Sequence, residues 1–220
     1  MEQPKLKLFY ENKNGTHEIQ VGVDEAGKGC LAGPVFTAAV VWNPDLKIPN
    51  DKTLEIRDSK KLNKKKLIEL KNFIIRHALA YSVTFSDHTC IDSKGIDNAT
   101  FLSMHKSLDD IFINKIKFTR ILVDGNRFTS YLSPNNHMGF IKHNCIIKGD
   151  DKYISIAAAS ILAKSFRDEY IINLCNKNEI LNRYDLKNNK GYGTKKHLEA
   201  IREYGRSCFH RKTFKIKSID

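Results

Sequence analysis

The sequence predicts an α/β fold with a mixed central sheet flanked by helices, because short apolar runs of strand length alternate with longer stretches of helical periodicity. Apolar and polar residues alternate up to Asp24 and then meet a glycine-rich segment. A second, fully apolar run ends at Asp124. An alanine-rich stretch at residues 154–177 has the composition of one long helix.

Each element follows from its local pattern. The first strand covers Ile19–Asp24, and Gly27, Gly29 and Gly33 lie in the loop after it. Asn63 is suited to cap the first helix. The other predicted elements, in chain order, are a strand at 35–42, a helix at about 64–80, a strand at 81–87, a helix at about 98–112, strands at 119–124 and 143–151, and a helix at 195–204.

Composition favours a polyanionic partner. The 220 residues include 37 Lys and Arg against 25 Asp and Glu, which gives a formal charge of +12. A basic surface that serves only solubility is the alternative. The five cysteines are scattered, without a CxxC pair, and this indicates a reducing compartment. No membrane span or signal peptide is recognised, so we expect a cytoplasmic protein.

Acidic residues follow the ends of two predicted strands. Asp24 and Glu25 end the first, and Asp124 ends the apolar run. Since ligands bind at strand ends in open α/β sheets, these acids are expected to meet. The long helix adds Asp168, which lies on the same helical side as Ser160 and Lys164.

Carboxylates brought together in this way repel one another unless cations hold them. Oxygen ligands without His or Cys favour Mg²⁺ or Mn²⁺, and a basic protein with such a site suits two-metal phosphodiester hydrolysis. The alternative is that Asp24 and Glu25 only cap a turn and that Asp168 pairs with Lys164 or Arg167 on the helix surface.

Long motifs resemble the prokaryotic type 2 ribonuclease H family, ribonuclease HII. They occur in the order of that family across about residues 21–214. The motifs are GVDEAGKGCLAGPV at 22–35, DSKKL at 58–62, LVDGN at 122–126, IIKGD at 146–150, IAAASILAKSFRD at 156–168, GYGTKKH at 191–197 and HRKTF at 210–214.

This resemblance implies a ribonuclease H-like catalytic domain at 1–177, with a C-terminal helical and basic extension at 178–220 that packs on it and binds substrate. It implies a monomer that cleaves the RNA strand of RNA/DNA hybrids and incises 5′ of ribonucleotides embedded in duplex DNA, leaving 3′-hydroxyl and 5′-phosphate ends. The implied catalytic and metal-binding set is Asp24, Glu25, Asp124 and Asp168, with two Mn²⁺ or Mg²⁺ ions when substrate is bound.

The resemblance also assigns the reading of the ribose 2′-hydroxyl to Gly27, Lys28 and Gly29 together with Tyr192. Lys28 replaces the usual arginine of the family and lacks its bidentate fork. Cys30 replaces a usual proline, which we expect to loosen the loop. Further contacts to nucleic acid are expected from Lys60, Lys61, Ser160, Lys164, Thr194 and Lys195.

Two alternatives stay open at this point. One is a hybrid nuclease without junction preference, as in the ribonuclease HIII branch, which normally carries an extra N-terminal domain. The other is a basic nucleic-acid-binding module that keeps the fold but lacks catalysis. The presence of all four acids argues against the second alternative.

Overall fold

The computed structural model describes residues 6–8, 10, 19–42, 55–56, 63–134, 139–217 and 219. The strands are β1 (Gln20–Ala26), β2 (Val35–Val41), β3 (Ala80–Ser86), β4 (Arg120–Asp124), β5 (Tyr131–Leu132) and β6 (Phe140–Ile146). The helices are α1 (Lys64–His77), α2 (His88–Lys94), α3 (Ile96–Ile113), α4 (Ile154–Lys177), α5 (Leu186–Asn189) and α6 (Lys195–Tyr204). Short 3₁₀ turns occupy Gly149–Asp151 and Glu179–Tyr184.

The strands form one mixed sheet in the order β3-β2-β1-β4-β6-β5. β1 runs parallel to β4, and β4 runs parallel to β6. β2 is antiparallel to both β1 and β3, and β5 is antiparallel to β6. The mixed sheet predicted from the alternation of strands and helices is thereby confirmed.

Helices cover both faces of this sheet, so β2 is buried along its whole length. One core lies between α4, α1 and the sheet, and it includes Trp42, Leu70 and Leu162. The other lies under α3 and includes Met104 and Leu108. Burial on both faces explains why β2 and β4 are apolar runs rather than alternating ones.

Several boundaries differ from the prediction. Asn63 caps α1 as expected, accepting a hydrogen bond from the backbone N–H of Lys66 at 3.0 Å. α1 ends at His77 because Ala78 is already extended. The sequence pattern missed α2, which Gly95 separates from α3 with φ +79°. It also missed the short β5, and it placed β6 too late.

The C-terminal segment packs against the end of α4 and the glycine loop. Its apolar side chains form one buried cluster with Ala32, Ile171 and Cys175. A domain boundary near residue 177 stays a prediction. Among the described residues, no helix combines the length and the apolarity that crossing a membrane requires. All five cysteines are free.

Candidate active site

The parallel pairing of β1 with β4 brings two of the predicted acids together. Val23 pairs with Val123, so Asp24 and Asp124 follow side by side at the ends of neighbouring strands. Asp24 Oδ1 accepts a hydrogen bond from the N–H of Glu25 at 2.7 Å. Asp124 Oδ1 accepts one from the N–H of Gly149 at 2.6 Å. Backbone donors therefore fix both carboxylates.

These acids carry charge that the surrounding protein does not balance. Asp24 is only 5% exposed. Its pKa is raised well above the ordinary value, first by burial and then by Glu25 and Asp124, while a hydrogen bond from Ser160 lowers it. Burial also raises the pKa of Glu25, which Lys28 opposes, and the pKa of Asp124. A bound cation would relieve this cost.

Close packing brings α4 to this end of the sheet. A Cβ on Gly22 of β1 would lie 2.3 Å from the carbonyl carbon of Ser155, so only glycine permits the approach. The buried alanines at 157–159 continue the contact with the sheet. About two and a half turns after Ala159, the same helix carries Asp168 into the active-site region.

A pocket of about 270 Å³ joins the predicted site residues from separate parts of the chain. Its lining comprises Glu25, Ala26, Gly27, Lys28, Gly29, Ser160, Lys164, Arg167, Asp168 and Tyr192. Within this pocket Asp168 pairs with Lys164, with Nζ to Oδ2 at 3.2 Å. The local pair considered as an alternative role for Asp168 is thus present, and Asp168 still lines the same pocket as Glu25.

The donor chemistry of the acids fits hard divalent ions. Asp24, Glu25 and Asp124 offer carboxylate oxygens, and the raised pKa of the buried Asp24 marks a missing countercharge. In the part of the chain that the structure describes, no three His, Cys, Asp or Glu side chains converge into a ready-made metal cluster. Glu25 and Asp124 are close enough to Asp24 to raise its pKa, whereas Asp168 pairs with Lys164.

Two of the glycines in the loop after β1 have different requirements. Gly27 has φ +85°, and a Cβ there would lie 1.9 Å from Nε of Arg167. Gly29 has no atom within 4 Å of the position of a Cβ. The fold therefore requires glycine at position 27, whereas the open space beside Gly29 is available to a ligand.

Cys30, which stands where the resemblance expects proline, makes a backbone contact of its own in this loop, and the expected loosening stays a prediction. Its backbone N–H donates to the carbonyl of Gly27 at 3.2 Å, a bond that proline cannot make. Its side chain is fully buried. Burial raises the pKa of the thiol, and Arg167 and Arg211 oppose that rise.

Two buried arginines, whose roles the sequence did not reveal, hold the loop from within. Arg211 donates from NH2 to the carbonyl of Gly27 at 2.7 Å, from NH1 to that of Lys28 at 2.7 Å, and from Nε to that of Gly33 at 3.0 Å. Arg211 is part of the HRKTF motif, but its burial depends on carbonyls far away in the sequence, which a local pattern cannot show.

Arg167 makes the corresponding contacts from α4. It donates from Nε to the carbonyl of Pro34 at 3.0 Å, from NH2 to that of Ala32 at 3.3 Å and from NH1 to that of Lys190 at 2.8 Å. Its guanidinium carbon lies 5.9 Å from the ring centre of Tyr192. Arg167 therefore links the glycine loop to the segment that carries Tyr192.

A pair of buried histidines supports the backbone of Tyr192. His210 accepts at Nδ1 from the N–H of Ser207 at 3.0 Å, so its proton lies on Nε2. That nitrogen lies 2.9 Å from Nε2 of His197, and Nδ1 of His197 lies 2.8 Å from the carbonyl of Tyr192. Since both rings are fully buried, the structure gives His197 and His210 a structural role.

The remaining predicted binding residues have mixed placements. The ammonium group of Lys28 pairs with Asp97 at 2.9 Å. Thr194 caps α6, accepting from the N–H of His197 at 3.4 Å. Lys195 is largely exposed and lies 3.9 Å from Glu199. Neither Thr194 nor Lys195 lines the pocket. Lys60 and Lys61 lie outside the described residues.

Comparison with solved structures defines the fold. Ribonuclease H2 from Pyrococcus horikoshii OT3 aligns with a TM-score of 0.66 at 24% identity, over 89% of this chain and 93% of that chain. Bst-RNase HIII in complex with Mn²⁺ aligns with a TM-score of 0.58 at 20% identity, over 86% of this chain and 63% of that chain. The predicted ribonuclease H-like fold is confirmed.

Sequence comparison then gives the family. The model of the family described as ribonuclease HII matches residues 21–217. Ribonuclease HII from Parabacteroides distasonis is 44% identical over 201 residues, which span 91% of this chain and 92% of that relative. The chain belongs to the ribonuclease HII family, and it is a ribonuclease H hydrolase.

Proposed function

We propose that this protein is a divalent-metal-dependent endonuclease that cleaves the RNA strand of RNA/DNA hybrids and incises 5′ of single ribonucleotides in duplex DNA. The products carry 3′-hydroxyl and 5′-phosphate ends. One observation carries the proposal: Asp24 and Asp124 lie together at parallel strand ends, with an open glycine loop beginning three residues after Asp24.

Asp24, Glu25, Asp124 and Asp168 are the residues proposed to hold Mn²⁺ or Mg²⁺, two ions when substrate is present. When bound, these ions supply an activated water and stabilise charge on the leaving oxygen. The carboxylates bind and orient them, and the backbone N–H groups of Glu25 and Gly149 hold two of those carboxylates in place. The Mn²⁺ complex of Bst-RNase HIII, a protein of the same fold, supports this choice of metal.

Selection of a ribonucleotide is proposed to take place at the glycine loop. Backbone groups of Gly27, Lys28 and Gly29 approach the ribose, and the unobstructed side of Gly29 leaves room for it. The 2′-hydroxyl is the group that separates RNA from DNA at one position. Tyr192 lines the same pocket and is proposed to stack on the next sugar.

Lysine at position 28 is proposed to hold the junction less tightly than arginine would. Its ammonium group is engaged by Asp97 at 2.9 Å, so the contribution of the loop to recognition lies mainly in its backbone. If the side chain takes part, Lys28→Arg sharpens the preference for the 5′ side of the ribonucleotide. An unchanged pattern of cleavage sites in that variant would refute a role for the side chain.

Other basic and hydroxyl groups are proposed to bind the nucleic-acid backbone. Ser160 and Lys164 line the pocket beside the acids, and the positive net charge of +12 favours a polyanion. Thr194, Lys195, Lys60 and Lys61 are proposed to add phosphate contacts outside it. A monomer acting in the cytoplasm is proposed on the basis of the family resemblance and of cysteine usage.

The test is cleavage of a labelled DNA duplex that carries one ribonucleotide, beside a uniform RNA/DNA hybrid of equal length, with Mn²⁺ or Mg²⁺. A single cut on the 5′ side of the ribonucleotide is expected. Cutting of the hybrid alone would mean that the loop does not read the junction. Asp124→Asn is the control for catalysis: turnover is lost and duplex binding is retained, whereas a pure binding module would change in neither.

A further inference from the structure

A second groove lies beside the active-site pocket, where α4 faces α1 and α5. It has a volume of about 720 Å³ and shares Lys164 and Asp168 with the active-site pocket. Three apolar side chains, Leu67, Ile68 and Ile172, contribute to its lining. The groove is therefore continuous with the active-site pocket.

The acids that line this groove are already neutralised. Asp168 pairs with Lys164 at 3.2 Å. Glu169 accepts from Nζ of Lys71 at 2.7 Å on both of its oxygens, and this contact also ties α1 to α4. The groove consequently has no spare negative charge from either residue.

Three further lysines leave the groove with surplus positive charge. Lys64 opens α1, Lys187 lies in α5, and Lys190 follows α5. Within the described ranges, none of the three has a carboxylate at ion-pair distance. Cations gathered from separate elements repel one another unless an anion lies between them.

Lys190 is built into this position rather than lying loosely on the surface. Its backbone is left-handed at φ +54°, and its carbonyl accepts from Arg167 at 2.8 Å. Its Nζ contacts the carbonyl oxygen of Lys187. Burial lowers its pKa, Asp168 opposes this, and nearby Lys64 and Lys164 lower it further. The same arginine that holds the glycine loop thus fixes one wall of the groove.

We propose that this groove binds the sugar–phosphate backbone of the nucleic acid beyond the scissile phosphate, an inference that rests on the proposed function. The backbone carries one phosphate for about every 3.4 Å of helix axis per strand, so a strand leaving the pocket past Lys164 presents successive phosphates to Lys64, Lys187 and Lys190. The apolar side chains of the lining contact sugars between these phosphates.

The test compares two double variants that remove equal charge. Lys64→Gln/Lys187→Gln changes the groove. Lys117→Gln/Lys142→Gln is the matched control. Lys142 lies opposite Arg120 in the register of β4 and β6, near the starts of these strands, and Lys117 precedes β4, whereas the acids lie at the strand ends. All four lysines are exposed, so the fold is retained. Binding of ribonucleotide-containing duplexes, extended stepwise on either side, is measured by fluorescence anisotropy without divalent metal at several salt concentrations.

For duplexes long enough to reach the groove, we expect the groove variant to bind roughly tenfold more weakly than the control. The slope of log K against log salt concentration should be smaller by about 1.8, because two phosphate contacts are lost. The difference should vanish for the shortest duplexes. Equal binding by both variants at every length would overturn the assignment of the groove to nucleic acid. The ligand of the groove would then be an anionic peptide or small molecule.

The two proposals fail separately in this design. A length-dependent difference between the groove and control variants, together with wild-type protein that cuts no ribonucleotide-containing duplex, contradicts the proposed function alone. Wild-type protein that cuts the duplex, while groove and control variants bind it alike, contradicts the groove alone.

Discussion

Glu25, one of the strand-end acids, lines the same pocket as the glycine loop, yet charge is compensated differently at the acids and at the loop. Asp24 is buried next to Glu25 and Asp124, and its pKa is raised well above the ordinary value. At the loop, the buried cations Arg167 and Arg211, which come from α4 and from the C-terminal segment, each donate to three backbone carbonyls. The acids cost folding free energy, whereas the loop is stabilised by charge-assisted hydrogen bonds.

The glycine loop is the part of the site that is complete in the protein alone. The loop has its partners within the chain and is preorganised for a ligand. The negative charge of the strand-end acids is compensated only by a bound cation. Catalytic sites commonly lower the stability of a protein in this way. Substitutions in the two regions should therefore have opposite effects on stability.

The largest effect is expected from Asp24→Asn. We expect kcat with Mg²⁺ or Mn²⁺ to fall by about 10³-fold or more, because the carboxylate proposed to hold the metals is lost. In metal-free buffer the variant should melt at a higher temperature than the wild type, because a buried charge has been removed. Turnover assays and thermal melts measure the two quantities.

The gain in stability should depend on pH. The folded pKa of Asp24 lies above its unfolded value, so the wild type loses stability as pH rises from the ordinary carboxyl pKa through the folded one. Asp24→Asn lacks this loss. The difference in stability between the variant and the wild type is therefore expected to be small at pH 4 and largest at pH 8. Glu179→Gln, an exposed acid in the C-terminal segment, is the control. A variant that is less stable than the wild type at pH 8 would show that the protein already balances the charge.

Arg211→Lys addresses the loop side of the comparison. Lysine keeps the charge but cannot donate to Gly27, Lys28 and Gly33 together. We expect the free energy of unfolding to fall by about 3 kcal/mol, since buried carbonyls are left without donors. Denaturant titration measures this, with the exposed Arg202→Lys as control.

Kinetics below the melting temperature separate a loop role from a general structural one. If Arg211 positions the loop, the variant should raise KM for ribonucleotide-containing duplex more than it lowers kcat. Equal stability of the Arg211→Lys and Arg202→Lys proteins would contradict the preorganised loop.

The sequence predicts the acidic half of the site much better than the arginine-held half. Asp24 and Asp124 follow apolar strands, so their meeting needs only the parallel pairing of those strands. Arg211 contacts Gly27 across 184 positions, and nothing local distinguishes it from an exposed arginine. The helix α2 was missed for a related reason, because its seven residues are too few to show periodicity. Local patterns therefore predict the main helices, the strands and the acids. The arginines that donate to distant carbonyls can be recognised only in the folded structure.

The buried histidine pair that supports Tyr192 is expected to make stability depend on pH. Burial, together with His197 and Arg206, lowers the pKa of His210 to about 4. With an unfolded value near 6.5, its protonation destabilises the fold as pH falls from 6.5 towards 4, by about 3 kcal/mol in full. Stability is complete above pH 6.5, because there both states are neutral.

Denaturation curves between pH 4 and 7 measure this loss against His210→Gln, which cannot take up the proton. The partly exposed His105→Gln serves as control and should keep the pH slope of the wild type. Identical slopes in wild type and His210→Gln would mean that the buried pair does not control stability in this range.

Gly27 and Gly29 of the loop give the smallest expected effect on stability and the most direct comparison within the loop. Gly27→Ala places a Cβ against Arg167 at φ +85°, and we expect a loss of about 2 kcal/mol. Gly29→Ala meets no atom within 4 Å, so its free energy of unfolding should change by less than about 0.5 kcal/mol. Its kcat/KM on duplex with one ribonucleotide should nevertheless fall by about 10²-fold, because the methyl group displaces the ribose from the loop. Melting curves and cleavage assays on both variants decide this: a Gly29→Ala protein that cuts like the wild type would place the ribose elsewhere, since the fold itself makes no demand for glycine at that position.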